Sequence, residues 1–236
     1  MKTKVLTETK EMNKIAQKTK NNTITTTIIF DLGGVVVSDS DPVIIKAIAV
    51  YFDTAVEKIK YAFKKTLAPY SKGLITGEKF SENFLRAIGT KKAKSSSPKK
   101  VLAFMKSEYL KNSKMYVNIM ELIKSLKKKY FIAALSNTVA MHEHFNKQRG
   151  LFKPFHKVFL SNRIHLVKKY FMGSENDSEE IYLYVCRKLR VHPEECIFID
   201  DMKENLISAK DIGMKTIHYK NYNQLMKELK KYKIKF

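Results

Sequence analysis

Apolar residues along this chain follow two patterns, and the change from one to the other divides it. The run Ile28-Ile29-Phe30 is continuous and breaks at Asp31, Gly33 and Gly34. A short continuous apolar run describes a strand buried on both faces, here at about Thr25–Phe30. Strands are also predicted at Tyr130–Leu135, Val158–Leu160, Cys196–Ile199 and Lys215–Tyr219. Helical spacing fills the gaps, at Val117–Lys128, Ser178–Leu189 and Glu204–Ile212, with a basic amphipathic helix at Tyr222–Tyr232. Ser136-Asn137-Thr138 is expected to cap one more helix, running to about Asn146. Strands alternating with helices predict an α/β fold with a doubly wound parallel sheet.

The stretch between the first two strands is different. Ser38-Asp39-Ser40-Asp41-Pro42 supplies a helix start with proline just inside it. Apolar stripes follow at Ile44, Ile45, Ile48 and Tyr51, at Val56, Ile59, Ala62 and Phe63, and at Phe80, Phe84, Leu85 and Ile88. Thr76 sits near a helix start, Lys91–Lys100 reads as a polar loop, and a further helix is expected around Val101–Leu110. These helices have no strands between them. The expected organisation is a polar N-terminal arm at 1–22, an α/β core at 23–40 and 115–236, and an inserted α-helical cap at 41–114.

Composition narrows the partners. The chain has 236 residues, 44% of them hydrophobic, which is enough for a real core. Lys and Arg number 45 against 23 Asp and Glu, for a net charge of +22. That balance favours anionic partners. Lysine is spread throughout, arginine is scarce, and no zinc-finger or helix-turn-helix spacing occurs, so a small phosphorylated molecule is expected and nucleic acid is not. Cys186 and Cys196 form no CxxC pair, which fits a reducing compartment. Charges occupy the N-terminal stretch where a signal peptide needs an apolar core, and no run approaches the ~18 apolar residues of a membrane span. A cytoplasmic protein without a membrane partner is expected.

Three strand ends bring polar residues to one sheet edge: Asp31, Ser136-Asn137, and Asp200-Asp201. Open α/β sheets place their chemistry at the carboxyl ends of the strands. This set suits phosphoryl transfer, in which a carboxylate attacks phosphorus while a divalent metal and hydrogen-bond donors neutralise the oxygens. Carboxylates clustered in this way suit Mg²⁺.

Phe30-Asp31-Leu32-Gly33-Gly34-Val35, Leu135-Ser136-Asn137 and the run Phe198-Ile199-Asp200-Asp201 to Leu206 resemble, in order, the first, second and fourth motifs of the haloacid dehalogenase superfamily. The likeness is to its phosphatase-like members with a helical cap, and covers about Thr25–Tyr219. It implies a Mg²⁺-dependent phosphohydrolase in which Asp31 is the nucleophile that forms an aspartyl-phosphate. Asp31, the Gly33 carbonyl, Asp201 and Asp200 are then the metal-site candidates, and Asn205 steadies the acidic motif. Ser136 and the Asn137 amide would bind phosphoryl oxygens. The third-motif lysine falls on Lys168, with Lys169 as the alternative, and Lys168 is preferred because Ile164 and Leu166 then align with apolar positions. A sugar phosphate is the natural substrate guess.

Two departures stand out. Most phosphatases of the family carry a second aspartate, a general acid and base, two residues after the nucleophile; here that place is Gly33. Such help is typically worth about 10² to 10⁴ in rate. Asp39 and Asp41 are the nearby substitutes. The third motif also lacks its proline, and Tyr170–Asp177 reads as an insertion. A weak or inactive relative that binds a phosphorylated ligand or a protein partner is therefore the alternative, and a metal-free dehalogenase is a third reading. His142 and His144, two apart on a helix, point to different faces and are not expected to pair on a metal.

Overall fold

The computed structural model describes residues 26–168 and 179–236. The arm at 1–22, Lys169, and the insertion at Tyr170–Asp177 lie outside the described residues. Among those described, β1 (Thr27–Phe30), β2 (Phe131–Ser136), β3 (Lys157–Leu160), β4 (Cys196–Asp200) and β5 (Lys215–His218) form one sheet. Every pairing is parallel, and the order is β3-β2-β1-β4-β5. β1 is therefore central. Phe30 pairs with Ala134 on one side and Ile199 on the other, so Asp31 leaves the middle of the sheet beside the ends of β2 and β4.

The period-two alternation of strand side chains explains why both sheet faces are apolar. Ile28, Phe30, Ile132, Ala134, Ile197 and Ile199 face one layer, where α6 (Val117–Leu126) and α11 (Tyr222–Lys231) contribute Ile119, Leu122, Leu225 and Leu229. Ile29, Ala133, Leu135 and Phe198 face the other, against Ile181, Tyr182 and Val185 of α9 (Glu180–Leu189) and Leu206 and Ala209 of α10 (Lys203–Asp211). Helices on both faces make the sheet doubly wound. No helix among the described residues is long and apolar enough to cross a membrane.

Between β1 and β2 run α1 (Asp41–Tyr51), α2 (Val56–Ser71), α3 (Gly77–Ile88), α4 (Lys91–Lys94) and α5 (Pro98–Asn112). They enclose a separate apolar cluster that includes Ile44, Ile48, Ile59, Phe80, Phe84 and Met105. The three stripes seen in the sequence are its contents. Thr76 accepts a hydrogen bond from Lys79 N at 3.2 Å and starts α3, which ends at Gly89 in the left-handed conformation.

Two expectations fail locally. Lys91–Lys100 is not one loop. Thr90 Oγ1 accepts from Ala93 N at 3.2 Å and buried Ala93 anchors the short α4, while Pro98 starts α5 three residues before Val101. Nor does Ser136-Asn137-Thr138 cap a helix. The next helix, α7 (Ala140–Gln148), begins after Val139 with no side-chain cap. Tertiary bonds explain this: Thr138 N donates to Ser161 Oγ at 2.9 Å, and Asn137 is tied to Lys168 at both ends of its amide. Ser161 opens the short helix α8 (Ser161–Ile164), which the sequence pattern did not signal.

Candidate functional site

The turn after β1 is set by its own backbone. Asp31 N donates to Ile199 O at 2.8 Å, and the Leu32 carbonyl accepts from Val36 and Val37 at 2.8 and 2.9 Å. Gly34 has φ +72°, and a Cβ there would overlap the Asp201 carboxylate. Only glycine lets this turn approach the end of β4 so closely. Gly33 differs, since a Cβ there would meet nothing within 4 Å among the described residues. The position where relatives of the resembled family carry an acid is open space.

Lys168 joins the first and fourth strand ends. Its side chain is 2% exposed, and Nζ lies 2.8 Å from Asp31 Oδ1 and 2.6 Å from Asp200 Oδ2. The contact to Asp200 is an aligned hydrogen bond; the contact to Asp31 is an ion pair without that alignment. The Lys168 backbone is held by Asn137, whose Nδ2 donates to Lys168 O at 3.1 Å while Oδ1 accepts from Lys168 N at 2.8 Å. The Asn137 side chain thus fixes the lysine, which leaves the backbone amide as the group of Asn137 that the phosphoryl expectation concerns. Ser136, buried at the end of β2, turns its Oγ to Asn137 O at 3.2 Å.

Asp200 is fully buried and each of its oxygens is engaged. Oδ1 accepts from Met202 N at 2.8 Å and Asn205 Nδ2 at 3.1 Å, and Oδ2 from Lys168 and from Asn205 Nδ2 at 3.0 Å. Asn205 is braced in turn by Tyr182, whose hydroxyl donates to Asn205 O at 2.9 Å. Asp201 is less enclosed, and its carbonyl accepts from His218 Nε2 at 3.0 Å. Tyr182 and His218 carried no sequence signal as supports, because their partners are backbone carbonyls of a distant segment.

One oxygen each from Asp31, Asp200 and Asp201 lies within 4.8 Å of the others. Three carboxylates beside one ammonium leave a buried excess of negative charge. Burial pushes Asp31 up to about 7, with Asp200 and Asp201 adding to the rise and Lys168 opposing it. Asp201 is raised to about 6, first by burial and then by Asp200. Burial works against the Lys168 charge, yet Asp200 and Asp31 hold its pKa above the ordinary lysine value, so it stays protonated. A cluster of oxygen donors with surplus negative charge fits a hard divalent cation.

Asp39 and Asp41 line the same cavity as Gly33, Ser136 and Asn137. Asp39 is exposed, and its Oδ1 accepts from Asp41 N at 3.0 Å. His142 and His144 do not converge: His142 stacks on Tyr109 with ring centroids 3.7 Å apart, whereas His144 is exposed and meets Phe145 edge-on. Cys186 and Cys196 are both buried and free.

Residues 25–213 match the family model described as haloacid dehalogenase-like hydrolase. Among solved structures, a HAD family enzyme of Bacteroides thetaiotaomicron shares the fold at a TM-score of 0.67 and 22% identity, covering 86% of this chain and 98% of that one. The same enzyme has been crystallised in complex with magnesium and inorganic phosphate (TM-score 0.65, 22% identity, covering 85% of this chain and 98% of that one). Two curated relatives match over short stretches. Flavin mononucleotide hydrolase 1 of Arabidopsis thaliana is 40% identical over 57 residues, 24% of this chain and 23% of its own length. Bifunctional epoxide hydrolase 2 of Rattus norvegicus is 33% identical over 66 residues, 28% of this chain and 12% of its own length.

Proposed function

The chain belongs to the haloacid dehalogenase-like hydrolases, and on that premise we propose that it is a Mg²⁺-dependent phosphatase of small organic phosphates that works through a phosphorylated Asp31. The observation that carries this reading is the Lys168 ammonium 2.8 Å from Asp31 and 2.6 Å from Asp200, a fixed positive charge beside a carboxylate at the central strand end. It opposes the burial that favours the protonated form of Asp31 and faces the oxygens of an incoming phosphoryl group. Magnesium, the ion typical of the family, supplies further positive charge to those oxygens when bound. Asp31, Asp201 and the Gly33 carbonyl would hold it. Asp200, with both oxygens engaged, serves to position Lys168 rather than to ligate.

In the first step an Asp31 oxygen bonds to phosphorus and the ester P–O bond breaks, so the leaving alcohol takes up a proton. In the second, water attacks phosphorus, the bond to Asp31 breaks, and phosphate departs with the carboxylate restored. The Ser136 hydroxyl and the Asn137 backbone N–H are the donors these residues offer the phosphoryl group. Gly33 supplies no proton, so Asp39 or Asp41 in the cavity wall, or water, must do so. Leaving groups that need little protonation are the better substrates. The helices α1–α5 act as a cap over this edge. Ser161 Oγ, 2.7 Å from Ser71 O and 2.9 Å from Thr138 N, ties the end of α2 to the core beside Asn137.

Gly33 also favours a second reading, a family member that binds a phosphorylated ligand without turning it over. Phosphate release from acetyl phosphate separates the two. Release that needs Mg²⁺, stops with chelator and is lost in Asp31→Asn supports the enzyme; background release in both proteins supports binding alone.

A further inference from the structure

A cavity of about 160 Å³ lies between the ends of β1 and β2 and the helices α1, α2, α3, α5 and α7. It begins at Leu32, Gly33, Ser136 and Asn137, immediately beside Asp31, so any group attached to a phosphate there extends into it. Ile44, Ile45, Phe63, Leu67, Phe80 and Met105 form apolar walls. An apolar cavity of about this size takes a benzene-sized guest. Tyr70 stacks on Phe80 at 4.8 Å, and Phe80 lies 6.2 Å from Phe63, so aromatic faces meet along one side. Most of the polar lining belongs to segments 38–41 and 136–138, which flank the Asp31 turn.

The part of the lining formed by α5 and α7 carries one unsatisfied group. Tyr109 and His142 line the cavity with their rings stacked at 13°. Tyr109 donates its hydroxyl to Asn146 Oδ1 at 3.1 Å, an oxygen that also accepts from Arg149 at 2.6 Å. His142 Nε2 is buried and has no partner among the described residues. A buried polar atom without a partner is costly, and a small shift of the His142 ring toward the cavity would let a ligand atom pair with Nε2 and recover that cost. Burial, with a smaller contribution from the Arg149 charge, pushes the imidazole down to about 3, so it is neutral and suits an uncharged partner.

We infer that the leaving group is a single-ring aromatic or similarly sized apolar alcohol with one uncharged hydrogen-bonding atom for His142 Nε2, and not a polyhydroxylated sugar. A sugar would bring several hydroxyls against walls such as Ile44, Leu67 and Met105, which offer them nothing. The inference rests on the phosphatase reading of the Asp31 site for the word leaving group, and the test keeps the two apart.

Non-hydrolysable phosphonates are titrated calorimetrically into the full chain with Mg²⁺, while turnover is followed separately with acetyl phosphate. Benzylphosphonate is expected to bind ~10-fold or more tightly than methylphosphonate, from burial of the ring. A para-hydroxymethyl group on that ring is expected to tighten binding further, and His142→Phe to remove that extra gain. Leu67→Gln is expected to narrow the benzyl-to-methyl ratio, and serves if His142→Phe does not fold. The inference is overturned if benzyl and methyl phosphonates bind alike, if neither binds, or if the 6-phosphonate analogue of glucose binds more tightly than benzylphosphonate. Ring preference without acetyl phosphate turnover keeps the cavity assignment and removes the phosphatase; turnover without ring preference does the reverse.

Discussion

At the ends of β1 and β4 the charged groups hold one another in place, three carboxylates gathered about one ammonium. Asp200 meets Lys168, Asn205 and Met202 N, and Lys168 reaches on to Asp31. Across the cavity, under α1–α3 and α5, the walls are mostly apolar and His142 Nε2 has no partner among the described residues. The difference teaches which region is finished before a ligand arrives. Fixed charges at a strand end cost little reorganisation when a phosphoryl group binds, which is the condition for strong electrostatic stabilisation. A wall with one orphan atom is completed only by the ligand, and so selects among ligands.

The charged side gives the largest expected effects. Asp31→Asn keeps the volume but removes the attacking oxygen, and phosphate release is expected to fall ~10³-fold or more, measured with acetyl phosphate and Mg²⁺. Lys168→Met leaves two carboxylates buried without their counter-ion. Breaking a buried pair from one side costs about 3 to 5 kcal/mol. Urea unfolding is expected to show that loss together with a fall in activity; unchanged stability would mean that the ammonium does not sit where the acids need it.

Gly33 is the one place where the charged side is incomplete. A Cβ meets nothing within 4 Å among the described residues, so the backbone of the turn has room for the first side-chain atom of Gly33→Asp. It is expected to raise turnover of an alkyl phosphate, a poor leaving group, by ~10-fold or more, while changing acetyl phosphate turnover little. An equal effect on both substrates would count against a missing proton donor.

The apolar side gives an effect on stability rather than on turnover, read against pH. His142 is held neutral in the folded chain at a pKa of about 3, against an ordinary value of 6.5. Between those values the unfolded chain binds the extra proton, so His142 contributes stability above about pH 6.5 that is lost as pH falls. From about pH 7 to about pH 5 the wild type is expected to lose about 2 kcal/mol more than His142→Phe in urea unfolding. Parallel losses would show that the ring is hydrated and the cavity open.

These two regions were unequally legible. The charged side announced itself because chemistry at the end of a parallel sheet needs fixed residue types at fixed strand ends, as with Asp31 and Asp200-Asp201. Lys168 was findable for a weaker reason, its distance from Val158–Leu160 and the alignment of Ile164 and Leu166. The stripes of α1–α3 revealed helices and their common core, yet not the cavity, because its walls come from one or two residues per helix whose apolar character also suits plain packing. Asn137 misled for a physical reason: its position after a strand is the same whether it caps a helix or clamps Lys168, and only the distant segment decides. Ser161 gave no signal at all, since a serine that ties three backbone segments looks like any other serine in a loop.

The central claim is that Asp31 carries the phosphoryl group. Full-length protein mixed with acetyl phosphate and Mg²⁺, quenched in acid and digested, is expected to yield one peptide heavier by a phosphoryl group, with the adduct on Asp31 and absent from Asp31→Asn and from chelator-treated samples. Phosphate release with no such adduct, or an adduct that persists in Asp31→Asn, would contradict the account.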